Sequence, residues 1–192
     1  MSLILQGSTS GSVTLQEPAV AGTTVLDLPA VSGTVITTGS SGGVSQAMLA
    51  TGVAGTGPAF SAYKSSDQTV TSGVMTKVTF DTEVFDTNNN FASSTFTPTV
   101  AGYYQVNATI AVQSTTTLTI IAGNLYKNGV LYRYGVLGIG INGNARANLS
   151  DLVYMNGTTD YLEIYARGDG ATVSFVGSAD VFSFSACLVR AA

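Results

Sequence analysis

The chain of 192 residues contains no histidine, no tryptophan and a single cysteine, Cys187. Without imidazole there is no Ser-His-Asp triad, no histidine base and no histidine metal ligand. Cys187 has no imidazole partner to lower its pKa, and its place in an apolar C-terminal segment predicts a buried small hydrophobe. An internal disulfide and a multi-cysteine zinc site are both excluded. The carboxylates that could serve a glycosidase as a pair are Asp81 with Glu83 and Asp160 with Glu163. Acids this close on a strand surface more commonly solvate the strand or pair across it. Arg167-Gly168-Asp169 spells an adhesion-type tripeptide, but a Gly-rich hairpin wants Gly-Asp-Gly for its backbone alone. Asp169 and Asp180 lie outside any EF-hand spacing, so no metal site is expected. Gly138-Ile139-Gly140-Ile141-Asn142-Gly143 neither follows a βαβ pattern nor opens a helix, which removes a phosphate-cradle function. The chain is therefore expected to be no enzyme and to use no cofactor.

Composition points to assembly. Charged residues are 9 % of the sequence, against roughly 25 % in ordinary soluble chains. The seven basic residues are scattered from Lys64 to Arg190 and the net charge is −4, so no stripe tracks a nucleic-acid backbone. No run approaches the ~18 apolar residues of a membrane span, and MSLILQGSTS lacks the positive start of a secretion signal. The surface must be wetted by hydroxyls and amides or covered by neighbours.

The elements that position these residues change character near Pro58. Before it the only charges are Glu17 and Asp27 and there is no aromatic ring; after it come every Tyr, Phe, Lys and Arg. Residues 1–57 are accordingly expected to form an extended, β-rich arm and residues 58–192 a knob. In the arm, Pro18-Ala-Val-Ala-Gly-Thr23 recurs as Pro29-Ala-Val-Ser-Gly-Thr34. Ser12–Leu15 and Thr24–Leu28 read as short strands. Alone, a segment of this composition reads as a disordered tail; ordering it takes a partner surface or interwoven sister chains. The apolar residues expected to make that attachment are Val13, Leu15, Val25, Leu26, Leu28, Val35 and Ile36.

After Pro58 the period-two signal dominates, in Val78–Phe80, Tyr104–Val112, Leu118–Ile120, Leu152–Tyr154 and Tyr161–Tyr165. Asn-Gly steps at 128–129, 142–143 and 156–157 supply tight reversals. Many short strands at this spacing predict an all-β, antiparallel two-layer sandwich of jelly-roll type.

The spacing Phe80-x5-Asp86-x4-Phe91-x4-Phe96-x5-Gly102-x-Tyr104 resembles the signature of the complement C1q/tumour-necrosis-factor-like globular head. The Phe91–Phe96 gap is two residues shorter than in that signature, and Val106 and Ala108 replace its usual aromatics. Leu125–Gly129 looks like the family's Lys-Asn hairpin, and Phe184–Leu188 is similar to its last strand. The resemblance spans residues 58–192. It implies a jelly roll that assembles as a tight homotrimer, with Gly102 allowing close approach and Tyr103 and Tyr104 pointing to opposite faces. The arm looks like the particle-proximal segments of tailed-bacteriophage fibre and decoration proteins. Together these imply a virion protein assembled in the host cytoplasm: a trimeric capsid decoration or cement protein whose arm binds the major capsid or another virion protein. The alternative is a fibre tip or lectin-like module binding host-surface glycans, with Tyr132, Arg133 and Tyr134 as ligand contacts. The chain has no heptads and no Gly-X-Y shaft, so the knob is expected to sit close to its anchor.

Overall fold

The computed structural model describes residues 3–6, 8–15 and 57–192. The chain divides into two compact units, Met1–Ala50 and Thr51–Ala192. In the first, β1 (Leu3–Gln6) and β2 (Ser12–Leu15) form an antiparallel hairpin with Leu3 opposite Leu15. Val13 and Leu15 thus lie on β2, whereas Val25, Leu26, Leu28, Val35 and Ile36 lie outside the described residues.

The second unit is all antiparallel β. Its strands are β3 (Ala59–Tyr63), β4 (Gln68–Val70), β5 (Thr76–Lys77), β6 (Thr82–Asp86), β7 (Phe91–Ala92), β8 (Thr95–Phe96), β9 (Gly102–Lys127), β10 (Val130–Met155), β11 (Leu162–Asp169), β12 (Val173–Phe175) and β13 (Ser183–Ala191). At 26 residues each, β9 and β10 are far longer than the usual strand of about five or six. Their halves have different neighbours. The first half of β9 pairs with β13, which pairs with β3 and then β6; the second half pairs with β11, which meets β8 and β5. β10 follows β9 along both halves, with register breaks at Leu131/Arg133, Tyr134/Leu137 and Asn142/Asn144. Such breaks bend a strand and let one ladder serve two layers.

The layers face each other across the core. Gly123, in the second half of β9, comes so close to Ile110, in the first half, that a Cβ there would lie 2.0 Å from Ile110 Cδ1. The centre is aromatic. Phe60 stacks on Phe91 and on Phe96 at 4.5 Å each, and Phe184 meets it edge-on at 4.9 Å. Phe80 and Phe182 extend the cluster. Period-two alternation places these rings: Phe60 and Ala62 on β3 and Phe184 and Ala186 on β13 point inward, while their neighbours point out.

Three local expectations need correction. Val78–Phe80 is not a ladder strand; it is an extended passage whose Val78 N donates to Ile164 O and whose Phe80 N donates to Ser94 Oγ. Cys187 is exposed, because the alternation that buries Phe184 and Ala186 turns it outward. Arg167-Gly168-Asp169 ends strand β11 instead of tipping a hairpin, and Arg167 Nε donates to Asp169 Oδ1 at 2.6 Å. That fork takes up both charges of the tripeptide.

The turns around Asp160 form the knob's densest polar lock. Asp160, 8 % exposed, pairs with Lys127 at 2.8 Å and accepts from Asn128 Nδ2 and from Asn156 N. Burial pushes its pKa up, but the hydrogen bonds from Lys127, Asn128 and Asn156 outweigh that and hold it below the ordinary value. A depressed carboxylate contributes stability above its unfolded pKa of about 4 and loses it as pH falls through the folded value. Asp160→Ala is expected to destabilise the knob by about 2 kcal/mol at neutral pH. Urea titrations from neutral to acidic pH should show the difference from the parent shrinking as the acid side is reached.

Candidate functional site

Residues opposite one another in a sheet share a face. On the outer face of the layer built by β6, β3, β13, β9 and β10, the register defines successive rows. Tyr154 lies opposite Tyr103. Next come Leu152, Gln105, Cys187 and Ala59, then Ser150, Asn107, Ser185, Ser61 and Phe85, then Asn148, Thr109, Ser183 and Tyr63. None of these residues is charged; Arg190, opposite Tyr103, and Arg146, opposite Ala111, bring charge to the two ends of the face. A solvated antiparallel face ordinarily carries lysine, arginine and glutamate throughout, so one whose central rows are uncharged has the composition of a surface that another protein covers.

The face has an apolar end and an amide-hydroxyl centre. At the apolar end Tyr103 and Tyr154 pack with ring centroids 5.5 Å apart. Beside them Tyr103, Leu152, Val189, Arg190, Ala191 and Ala192 line an open groove of about 560 Å³. Leu152 is 51 % exposed and Val189 57 %. In the centre Gln105 Nε2 donates to Ser150 Oγ at 2.9 Å, and Ser150 Oγ donates to Asn107 Oδ1 at 2.9 Å. Groups already paired within one chain can be covered without leaving an unsatisfied donor or acceptor, the main penalty for burying polar surface.

The predicted signature residues support this face from beneath or border it. Phe80, Phe91 and Phe96 are in the aromatic core. Asp86 closes the turn before β7, accepting from Asn88 N and from Phe91 N at 2.7 Å. Gly102 begins β9 where a Cβ would fall 2.4 Å from Arg190 O, so only glycine lets β9 and β13 approach there. Tyr104 is fully buried, its hydroxyl donating to Val100 O at 2.8 Å; burial pushes the phenol up to about 12. Tyr103, the next residue back, is 43 % exposed on the outer face.

Tyr132, Arg133 and Tyr134 lie elsewhere, on the first half of β10, at the open side of the second layer. Tyr134 is 76 % exposed. Arg133 Nε donates to Asp151 Oδ2 at 2.7 Å, and its guanidinium sits 5.2 Å from the Tyr132 ring. Three of the four carboxylates considered for hydrolysis are likewise held by neighbours. Asp81 accepts from Ser65 N and Ser66 Oγ, Glu163 pairs with Lys77 at 2.7 Å and Asp160 with Lys127. Among the described residues no group of three or more His, Cys, Asp or Glu side chains is placed to hold a metal ion.

Sequence reasoning missed Gln105, Asn107, Ser150, Leu152 and Val189. The signal was present: the odd positions from 103 to 109 and the even ones from 148 to 154 carry no charge. It becomes a surface only once the register sets those runs side by side.

No family model matches the chain, and no curated protein matches it in sequence. Its fold is nonetheless shared with solved structures. The globular domain of zebrafish complement 1qA superposes with a TM-score of 0.52 at 15 % identity, covering 70 % of this chain and 99 % of that one. Eiger TNF from S. frugiperda gives 0.50 at 10 % identity, covering 70 % and 92 %. PRD1 vertex protein P5 gives 0.50 at 17 % identity, covering 71 % and 100 %. The second unit is thus a C1q/TNF-like jelly roll.

Proposed function

We propose that the protein is a structural component of a tailed-bacteriophage virion, a homotrimeric capsid decoration or cement protein. Its knob assembles through the outer face with the uncharged central rows, and its arm, residues 1–57, binds the shell. The observation that carries the assembly is that face, with its apolar groove and internally satisfied centre. Proteins of this fold typically form homotrimers. The virion setting draws on two supports: the likeness of the knob to a vertex protein and the charge-poor, repeat-bearing arm. Trimerisation multiplies a weak arm contact through effective concentration, so three short arms can hold where one would not. Deleting residues 1–57 is expected to leave a folded, trimeric knob that no longer attaches to particles. Co-sedimentation of the truncated chain with particles at parental occupancy would refute that division of roles. The ratio of this protein to the major shell protein in purified particles distinguishes a lattice-covering cement from a rarer fibre.

A second reading, a fibre tip or lectin-like module, draws on the exposed Tyr134 beside Tyr132 at the open side of the sandwich. Rings so displayed can stack on sugars. It predicts a glycan-array signal lost in Tyr132→Ala; a flat array counts against it.

A further inference from the structure

A threefold axis cannot set a patch against itself. Its rotation brings one surface of each copy onto a different surface of the next, whereas self-matching patches belong to twofold pairs. With the outer face as one surface of a trimer, a second must lie elsewhere on the same chain.

The exposed large hydrophobic side chains single it out. Outside the outer face and its groove, Ile4, Val74 and Val84 come one to a segment, while Val130, Tyr132, Tyr134 and Leu137 gather on one stretch of β10. Tyr134 is the most open of these. The stretch is also a sheet edge: among the described residues β10 pairs with β9 on one side and with no strand on the other. Its single charge, Arg133, is taken up by Asp151 of the same chain at 2.7 Å. An apolar, nearly uncharged edge is one that proteins cover.

Level and chemistry both match the groove. Rotation leaves height along the axis unchanged, so contacting surfaces must share a level. For an axis along the strands they do. The start of β9 and the β9–β10 turn lie at one end of the sandwich, where Lys127 Nζ reaches Tyr154 O at 2.7 Å. Tyr134 stands opposite Asn124, three residues from Lys127, and Leu152 stands opposite Gln105, three residues from Gly102. The groove holds one cation, Arg190, which has no ion-pair partner among the described residues. A guanidinium beside apolar side chains suits the face of an aromatic ring, and the attraction grows as water leaves.

We propose, resting on the homotrimeric reading above, that the Val130–Leu137 edge of one copy packs into the groove of Tyr103, Leu152 and Val189 on the next, with the Tyr134 ring over Arg190. Each chain gives its edge once and its groove once, and three such contacts close the ring. Tyr132 and Tyr134 are then covered by a sister chain.

Sedimentation velocity of the full-length protein over a dilution series tests this with Tyr134→Arg, Arg190→Glu and the two combined. Tyr134 is exposed in the single chain, so circular dichroism should not change. Tyr134→Arg sets two cations against each other and is expected to raise the concentration at which the trimer half dissociates by about tenfold or more. Arg190→Glu should weaken the trimer as well, by removing the cation from the ring. The combined variant should recover most of the loss, because opposite charges then meet, and only direct contact produces that recovery. Single variants that both keep the parental midpoint, or a combined variant no better than the weaker single one, overturn the edge contact; a trimeric parent then leaves the assembly itself standing. A monomeric parent overturns both. Parental assembly of Tyr134→Arg together with a lost glycan-array signal overturns the contact in favour of a displayed ligand site.

Discussion

Phe60→Ala is expected to lower the stability of the knob by about 3–5 kcal/mol, the usual range for emptying a buried aromatic site. Phe60 is 1 % exposed and touches three other rings, so the neighbours that would have to collapse into the void are themselves fixed by mutual packing. Phe91 and Phe96 come from β7 and β8 of one layer, whereas Phe60 and Phe184 come from β3 and β13 of the other. The loss therefore falls on the contact between layers. For a domain whose total stability is about 5–15 kcal/mol, the variant should melt many degrees lower or fail to accumulate. Calorimetry or urea titration measures it; a change below about 1 kcal/mol would mean that these rings are not the core's centre.

Leu152→Glu should do the opposite: leave the knob folded and separate its copies. In the single chain Leu152 is 51 % exposed, so a carboxylate there stays hydrated and costs within about 0.5 kcal/mol. In the proposed trimer the same position is covered in each copy, and each brings in a carboxylate whose groove holds a single cation, Arg190. Burying such a charge is worth several kcal/mol against association. Cys187 reports the result directly, since it lies in the same row as Leu152 and is the sole thiol. Thiol reagents should react slowly with the parent and rapidly with Leu152→Glu, while circular dichroism stays unchanged. Equal reactivity in both would place the assembly surface elsewhere.

Much of the jelly roll could be read from residue spacing, and the reasons are local. Aromatic side chains separated by turn-forming Asp, Asn and Gly identify where strands start, and Asp86, Gly102 and Gly129 lie where turn chemistry and close approach require them. The order of strands was less accessible. That β13 inserts between β3 and β9, and β11 between β9 and β8, depends on pairings between residues far apart in the chain, which no short pattern records. Cys187 shows a subtler failure. Phe-Ser-Ala-Cys-Leu looks apolar as a block, yet parity decides burial: Phe184 and Ala186 take the inner face, leaving Cys187 with Ser183 and Ser185 outside. The outer face was hidden for a related reason. An uncharged residue every second position means little on one strand, and becomes a surface only when four strands align it.

The account rests on self-association through that face, and the mass of the full-length protein in solution tests it most directly. Multi-angle light scattering on the purified chain at micromolar concentration should return three times the 19.6 kDa chain mass for the parent and a single chain mass for Leu152→Glu. A parent that elutes as a monomer, or a variant that keeps the parental mass, would contradict it.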